Sequence, residues 1–288
     1  MAIIICKMKN DMSACPAGRK RHAMKKILSF VLAAICLLAF AGCGGHGSQA
    51  GTPAAHQGAH GETVLRVGTD ADYPPFEYYQ ETTKAFTGFD IELMQGVARE
   101  MGYSRVEFVN LDFDKLLPAL NDKKVDAVIS CLTVTEERKQ KSDFTEPYLD
   151  SANVAVGPAG TAFNGVEGLK GKRIAVEAGS IHVKEAKRHS GDVVECGYAG
   201  EALKMVADKK ADFAILDQYT ARFFITHNYS GKLAVLAEIR DNKDTGIAIA
   251  VAKGNREMLD KLNAGLKNYQ ATAAFMQLKN TYFGRLEK

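Results

Sequence analysis

Metal-ligand spacing, a nucleophile–base pairing, a membrane-length apolar run and a strongly basic balance are all missing from this 288-residue sequence. Each absence removes a class of function. Of the six cysteines, Cys6, Cys15 and Cys36 fall in or before an N-terminal apolar segment, and Cys43 follows it directly. Cys131 and Cys196 are left for the body of the chain, far apart and without ligand spacing. Two buried thiols are expected there, with a disulfide as the alternative, and no metal and no cofactor. The apolar run Ile27 to Phe40 has 14 residues, short of the ~20 that a transmembrane helix needs. The formal charge of +3 is misleading. Residues 1–42 hold seven of the 37 Lys/Arg and one of the 34 acids, which leaves 30 and 33, a net of −3, from Cys43 onward. A mildly acidic body gives no electrostatic ground for binding nucleic acid.

The N-terminus is more informative. Met24-Lys25-Lys26 followed by Ile27 to Phe40 has the basic and apolar regions of a secretory leader. It ends Phe40-Ala41-Gly42-Cys43, which resembles a bacterial lipoprotein cleavage box, with Phe40 where leucine is usual. Residues 1–23 read as an upstream extension before a start at Met24, residues 24–42 as the signal peptide, and Cys43 as the acylated residue. Two or three acyl chains hold a protein on a membrane stably, where one does not. Residues 43–61, rich in Gly, Ala, Gln and His, read as a flexible tether. His46, His56 and His60 belong to that solvated linker rather than to a metal site.

Beyond the tether, strand and helix signals alternate. Val64 to Gly68, Arg105 to Val109 and Val125 to Ile129 read as strands. Phe89, Leu93, Val97 and Met101 mark an amphipathic helix. Asp112 to Lys123 reads as a helix with Pro118 in its first turn. Tyr148 to Val156 is a long extended run. The alternation then restarts, with strands at Lys172 to Val176, Val193 to Cys196, Ala211 to Leu216 and Leu233 to Glu238. Helices are expected at Ser180 to His189, Ala199 to Lys210 and Asp217 to His227. Asp241 to Thr245 is a polar break, Gly246 to Ala252 a strand, and two helices follow, Arg256 to Tyr269 and Ala271 to Tyr282. The pattern implies an α/β fold of mainly parallel sheets in two lobes joined by a hinge. One lobe takes residues 62–150 and 246–288, the other residues 151–245.

The chemistry centres on Ser130-Cys131-Leu132-Thr133-Val134-Thr135-Glu136-Glu137-Arg138. Arg138 carries a planar donor fork that fits a carboxylate, beside the hydroxyls of Ser130 and Thr133. Thr135 with Glu136 and Glu137 also reads as a plain helix start. Asp70, Ser130, Glu177 and Asp217 each follow a strand, two in each half. Ligands of open parallel sheets sit beyond the carboxyl ends of strands, so a cleft between lobes would collect all four.

The motifs VGTDADYPPFEY, GFDIELM, LDFDKLLPAL, VDAVISCLTVTEERK, DFTEPY, LKGKRIAVEAGS, ADFAILD, GIAIAV and the terminal YFG resemble the extracellular solute-binding proteins of bacterial ABC transporters, in the polar amino-acid family. The resemblance runs from about Leu65 to Arg285 and implies a two-lobed periplasmic-binding-protein-like clamp of type II. It implies Arg138 on the ligand α-carboxylate, helped by N–H groups near Thr133 and at Ser180 and Ile181. It places the α-ammonium against Asp217, Thr133 and the Ser130 carbonyl, and the side chain between Tyr73 and Phe113 with Asp70 at its tip. Cys131 stands where relatives often have Gly or Ser, and Glu177 at a variable position facing the ligand. The implied partners are a free amino acid, a permease in the cytoplasmic membrane and the membrane itself through the lipid, in an extracytoplasmic monomer. A basic ligand, arginine or lysine, is expected, with glutamine as the alternative. The rival class is an enzyme similar to cyclohexadienyl dehydratase, with Asp70 or Glu177 as general acid.

Overall fold

The computed structural model describes residues 62–239 and 246–284. The leader, Cys43, the tether and the polar break Asp241 to Thr245 lie outside the described residues. Strand β1 (Val64–Thr69) leads into a small antiparallel meander of β2 (Asp72–Tyr73), β3 (Glu77–Gln80) and β4 (Ala85–Thr87). Helix α1 (Phe89–Glu100) buries Phe89, Leu93, Met94 and Val97, the face its period indicates. β5 (Arg105–Asn110), α2 (Leu116–Asn121), β6 (Ala127–Val128), α3 (Glu136–Lys141) and β7 (Ser142–Phe144) follow. β8 (Leu149–Asp150) then leads to β9 (Asn153–Pro158).

The second half runs β10 (Ile174–Glu177), α4 (Ile181–His189), β11 (Val193–Cys196), α5 (Ala199–Ala207), β12 (Phe213–Asp217), α6 (Gln218–Asn228) and β13 (Leu233–Ile239). The chain returns through β14 (Gly246–Ile247) and β15 (Ala250–Ala252) to α7 (Arg256–Gln270) and α8 (Ala273–Tyr282).

Two five-stranded sheets result, in the orders β5-β1-β6-β15-β7 and β11-β10-β12-β9-β13. Both are wired alike. Three parallel strands are followed by one antiparallel strand, β15 or β9, that reaches its sheet through a crossing segment. The crossings touch each other, since β8 pairs antiparallel with β14. The sheets are therefore mixed, and the parallel character read from the sequence holds for the first three strands of each.

Several expected elements differ in extent. The Val125–Ile129 run forms a ladder only at Ala127 and Val128, because the chain peels off to line the cleft. The Asp112–Lys123 helix splits into a 3-10 turn, Phe113–Lys115, and α2, with Pro118 in its first turn as expected. Tyr148–Val156 breaks at Ser151 and Ala152, where the chain leaves the crossing pair for the second sheet. Gly246–Ala252 is likewise two strands, because Gly246 pairs with Asp150 while Ala250 pairs with Val128 and Phe144. The helix read to Lys210 ends at Ala207, and that read from Ala271 starts at Ala273, behind its cap Thr272. The meander β2–β4 has no counterpart among the expected elements.

An aromatic column ties the two halves together. Phe283 from beyond α8 packs at a tilt against Phe89, Phe76 and Tyr219, and Tyr219 belongs to α6 of the second half. Tyr78 of β3 meets Phe223 of α6 in the same way.

Candidate functional site

A run of apolar residues that ends in an acid builds one wall of the cleft. β10 is Ile174-Ala175-Val176-Glu177 and β12 is Phe213-Ala214-Ile215-Leu216-Asp217, and every residue of both is buried. Their carboxyl ends bring Glu177 and Asp217 to the same edge. From the first sheet, Asp70 follows β1 and Ser130 follows β6.

Two adjoining cavities of about 270 and 280 Å³ occupy this junction and share Tyr73, Cys131, Thr133 and His182. The first is also lined by Phe113, Ser130, Arg138, Glu177, Ser180 and Ile181. The second adds Ser151, Asn153, Asp217 and Ile247. Every residue singled out from the sequence inside the described region lines one of them, with one exception. Asp70 is buried beside them but lines neither.

Arg138 is held at its backbone by Thr135, whose hydroxyl oxygen accepts the Arg138 N–H at 3.1 Å as the cap of α3. One turn thus holds both the helix cap and the residue whose guanidinium lines the cleft. The guanidinium touches both halves. It donates to the Thr133 carbonyl at 2.7 Å and to the Gly179 carbonyl at 3.3 Å, and stands 5.3 Å over the Phe113 ring. Gly179 has φ +74°, and a Cβ there would stand 2.9 Å from that of Asp114, so a side chain would push the two walls apart.

Asp217 also serves twice. Its Oδ1 accepts the N–H groups of Tyr219 and Thr220, the cap of α6, while Oδ2 accepts the Ser151 hydroxyl. Burial pushes its carboxyl up to about 6, against the pull of those donors. Tyr73 Oη accepts the Asp217 N–H at 3.3 Å, a bond between the halves. Ser180 differs from its expected role in that its N–H and hydroxyl both donate to the Glu177 carbonyl.

The acids form the other end of the site. Glu177 is 4 % exposed. Burial raises its carboxyl well above the ordinary range, Asp70 and Asp72 raise it further, and Arg138 opposes them. Asp70 is pushed up to about 7, first by burial and then by Asp72, with Asp112 and Asp114 adding to it and the Phe113 N–H opposing. These are like charges crowded at one end of a half-dry cleft.

His182 was not singled out from the sequence. It lies on α4 within IHVKEAKRH, which reads as an ordinary solvated helix face, yet it is buried and lines both cavities. Burial, then Arg138, depresses it to about 3, so the imidazole is neutral. With Nε2 donating to Asn153 Oδ1 at 3.1 Å, Nδ1 is an acceptor with no partner, next to the cleft. Ser151 and Asn153 were missed for a related reason, since they sit in a break within an extended run. Both cysteines are free. Cys196 is buried, but Cys131 is partly exposed because it faces the cavity, and burial raises its thiol far from reactivity. Among the described residues no group of His, Cys, Asp and Glu could hold a metal ion, and no helix is long and apolar enough to cross a membrane.

Relatives share this architecture. The chain is 32 % identical over 267 residues to the arginine-binding extracellular protein ArtP of Bacillus subtilis, covering 90 % of this chain and 98 % of that one. An ancestral arginine-binding protein solved with arginine superposes with a TM-score of 0.71 at 34 % identity, covering 77 % of this chain and 98 % of the other. An ancestral arginine-binding protein solved with glutamine gives 0.72 at 32 %, covering 78 % and 100 %. With two mixed sheets facing a small acidic cleft, and a family model matching residues 65–285, the chain belongs to the bacterial extracellular solute-binding proteins, family 3.

Proposed function

We propose that this protein is the substrate-binding component of an ABC importer for a basic amino acid, arginine before lysine, held to the membrane by lipid at Cys43. The lobes, residues 62–150 with 246–288 and residues 151–245, close on the zwitterion about a hinge at the crossing segments. Arg138 takes the α-carboxylate. Asp217, Thr133 and the Ser130 carbonyl take the α-ammonium, with the His182 acceptor beside them. Tyr73 and Phe113 flank the stem. The observation that carries the basic preference is the crowding of acids at the far end, where, beyond the effect of burial, Asp70 and Asp72 raise Glu177 while Asp72, Asp112 and Asp114 raise Asp70. A cation between them relieves that repulsion, whereas a neutral amide leaves it in place. The arginine-binding names of relatives support the same reading.

Glutamine is the second reading, favoured by the relative solved with it. Calorimetric titration with arginine, lysine and glutamine decides between them. Arginine is expected to bind tightest, and a tighter glutamine complex overturns the basic preference while leaving amino-acid binding intact. The raised carboxyls of Asp70 and Glu177 are also what the dehydratase-like reading requires of a general acid, so a prephenate turnover assay separates the two, and no conversion is expected.

The pH dependence supplies a second check. A ligand cation favours ionised carboxylates, so binding releases protons and affinity rises as pH climbs. Both ligands gain as Asp217 ionises near 6, through their ammonium groups. Arginine alone gains as Asp70 ionises near 7. The ratio of arginine to glutamine affinity therefore grows between pH 6 and 8, and a flat ratio would speak against Asp70 at the ligand tip.

The anchor is tested separately. Cys43→Ser is expected to release the protein from washed membranes into the soluble fraction. Retention of the variant after a carbonate wash would show that something other than lipid on Cys43 holds it.

A further inference from the structure

Two acids behind the cleft have no part in the reading above. Glu77 of β3 and Asp90 in the first turn of α1 are both 0 % exposed. Glu77 Oε1 accepts the Ser130 hydroxyl at 2.9 Å, and the Ser130 oxygen in turn accepts the Asp70 N–H at 3.1 Å. Asp90 Oδ2 accepts the Cys131 N–H and the Tyr148 hydroxyl, each at 2.7 Å. The remaining oxygens, Glu77 Oε2 and Asp90 Oδ1, are buried with no donor from elsewhere. The two carboxyl groups lie within hydrogen-bonding reach of each other.

Two bare carboxylates in a dry core repel, and one proton between them turns that repulsion into a strong hydrogen bond. The titratable groups facing the pair are Asp70, Cys131 and Tyr148, and none of these brings a positive charge. The residues they grip are the start of the cleft wall. Cys131 has φ +41°, a left-handed conformation that is unfavourable for a residue with a Cβ and needs its surroundings to hold it. Asp90 holds the Cys131 N–H in that conformation, and Glu77 holds the residue before it.

We infer that Glu77 and Asp90 share one proton and that this pair is the positioning element that fixes the Ser130–Cys131 backbone for ligand. The first test needs no ligand, so its outcome is independent of the function proposed above. Above the ordinary carboxyl range the folded pair keeps a proton that the unfolded chain has released. The folded state then binds the extra proton, and the unfolding constant rises by up to about tenfold per pH unit until that proton leaves. Glu77→Gln or Asp90→Asn replaces the proton with an amide N–H, so each is expected to unfold with a pH slope shallower by up to one proton between pH 5 and 8. The double variant sets two amide N–H groups against each other and is expected to melt below either single variant. Single variants with the wild-type slope, or a double variant as stable as the singles, overturn the shared proton.

The second test reads position. With arginine as the probe at pH 7, each single variant is expected within about threefold of wild type, and the folded double variant at least about tenfold weaker. Wild-type affinity in the double variant would show that the pair does not position the wall.

Discussion

Arg138→Ala is expected to bind arginine weaker by about 2–5 kcal/mol, at least thirtyfold, with little change in thermal stability. The reason is geometric. The guanidinium already spans the cleft, donating to Thr133 on one side and to Gly179 on the other, with its face on Phe113. A carboxylate brought between the lobes meets this fork at the moment it loses water, and without the fork it stays desolvated and unpaired. The fold, by contrast, gains little from the side chain, because no residue of α3 is buried. Lysine at 138 is expected to restore only part of the loss, since a point charge cannot make two parallel bonds. Calorimetry on the three proteins checks this, and wild-type affinity in the alanine variant would remove Arg138 from the carboxylate site.

Glu177→Gln is expected to shrink the preference for arginine over glutamine by about tenfold or more, ~1.4 kcal/mol. Glu177 sits at the end of β10 on the lobe opposite Asp70, and its carboxyl is raised first by burial and then by Asp70 and Asp72, with Arg138 too weak an opponent to offset them, so the far end lacks a cation of its own. Arginine supplies that cation, so it binds the ionised form of Glu177 and draws its proton off. Glutamine has nothing to offer the second carboxylate. Removing the charge from Glu177 leaves Asp70 alone, which an amide N–H satisfies nearly as well. Paired titrations of both ligands on both proteins measure the ratio. A ratio that stays fixed would place the origin of selectivity elsewhere, with His182 as the next residue to change.

The sequence made the ends of strands legible because burial and chemistry change there together. Glu177 and Asp217 stand out as acids that close apolar runs, and both reach the cleft. Arg138 stands out because a capped helix start fixes its direction. His182 does not stand out, because a buried polar residue on a polar stretch looks like a solvated one, and Glu77 and Asp90 do not because one acid among apolar neighbours in a short strand or a first helical turn reads as the solvent-facing member. Only the tertiary neighbours, Asn153 for His182 and Ser130 and Cys131 for the acids, distinguish the two. The breaks at Ser151–Ala152 and Ala248–Ile249 were hidden for another reason. A chain that moves from one sheet to another keeps its extended, apolar character, so pattern alone reads it as a single strand. Asp70 shows the limit of reading by position. It follows β1 as expected, yet its carboxyl lies behind the cavity lining, against the Phe113 N–H.

The strand β15 has a consequence for the order in which the molecule can be made. It lies between β6 and β7, so β7 reaches its sheet only through residues 250–252. A growing chain that has just passed Ile239 holds every strand of the second sheet but lacks the bridging strand of the first. The second lobe can therefore fold as soon as it emerges, while the first waits with an open edge for a segment synthesised more than 100 residues after β7. Contacts so distant along the chain form slowly, because loop closure precedes any gain from pairing. The binding cleft needs both sheets, so it is the last part of the molecule to exist, and a chain that stops short of β15 is left with an unpaired β-edge.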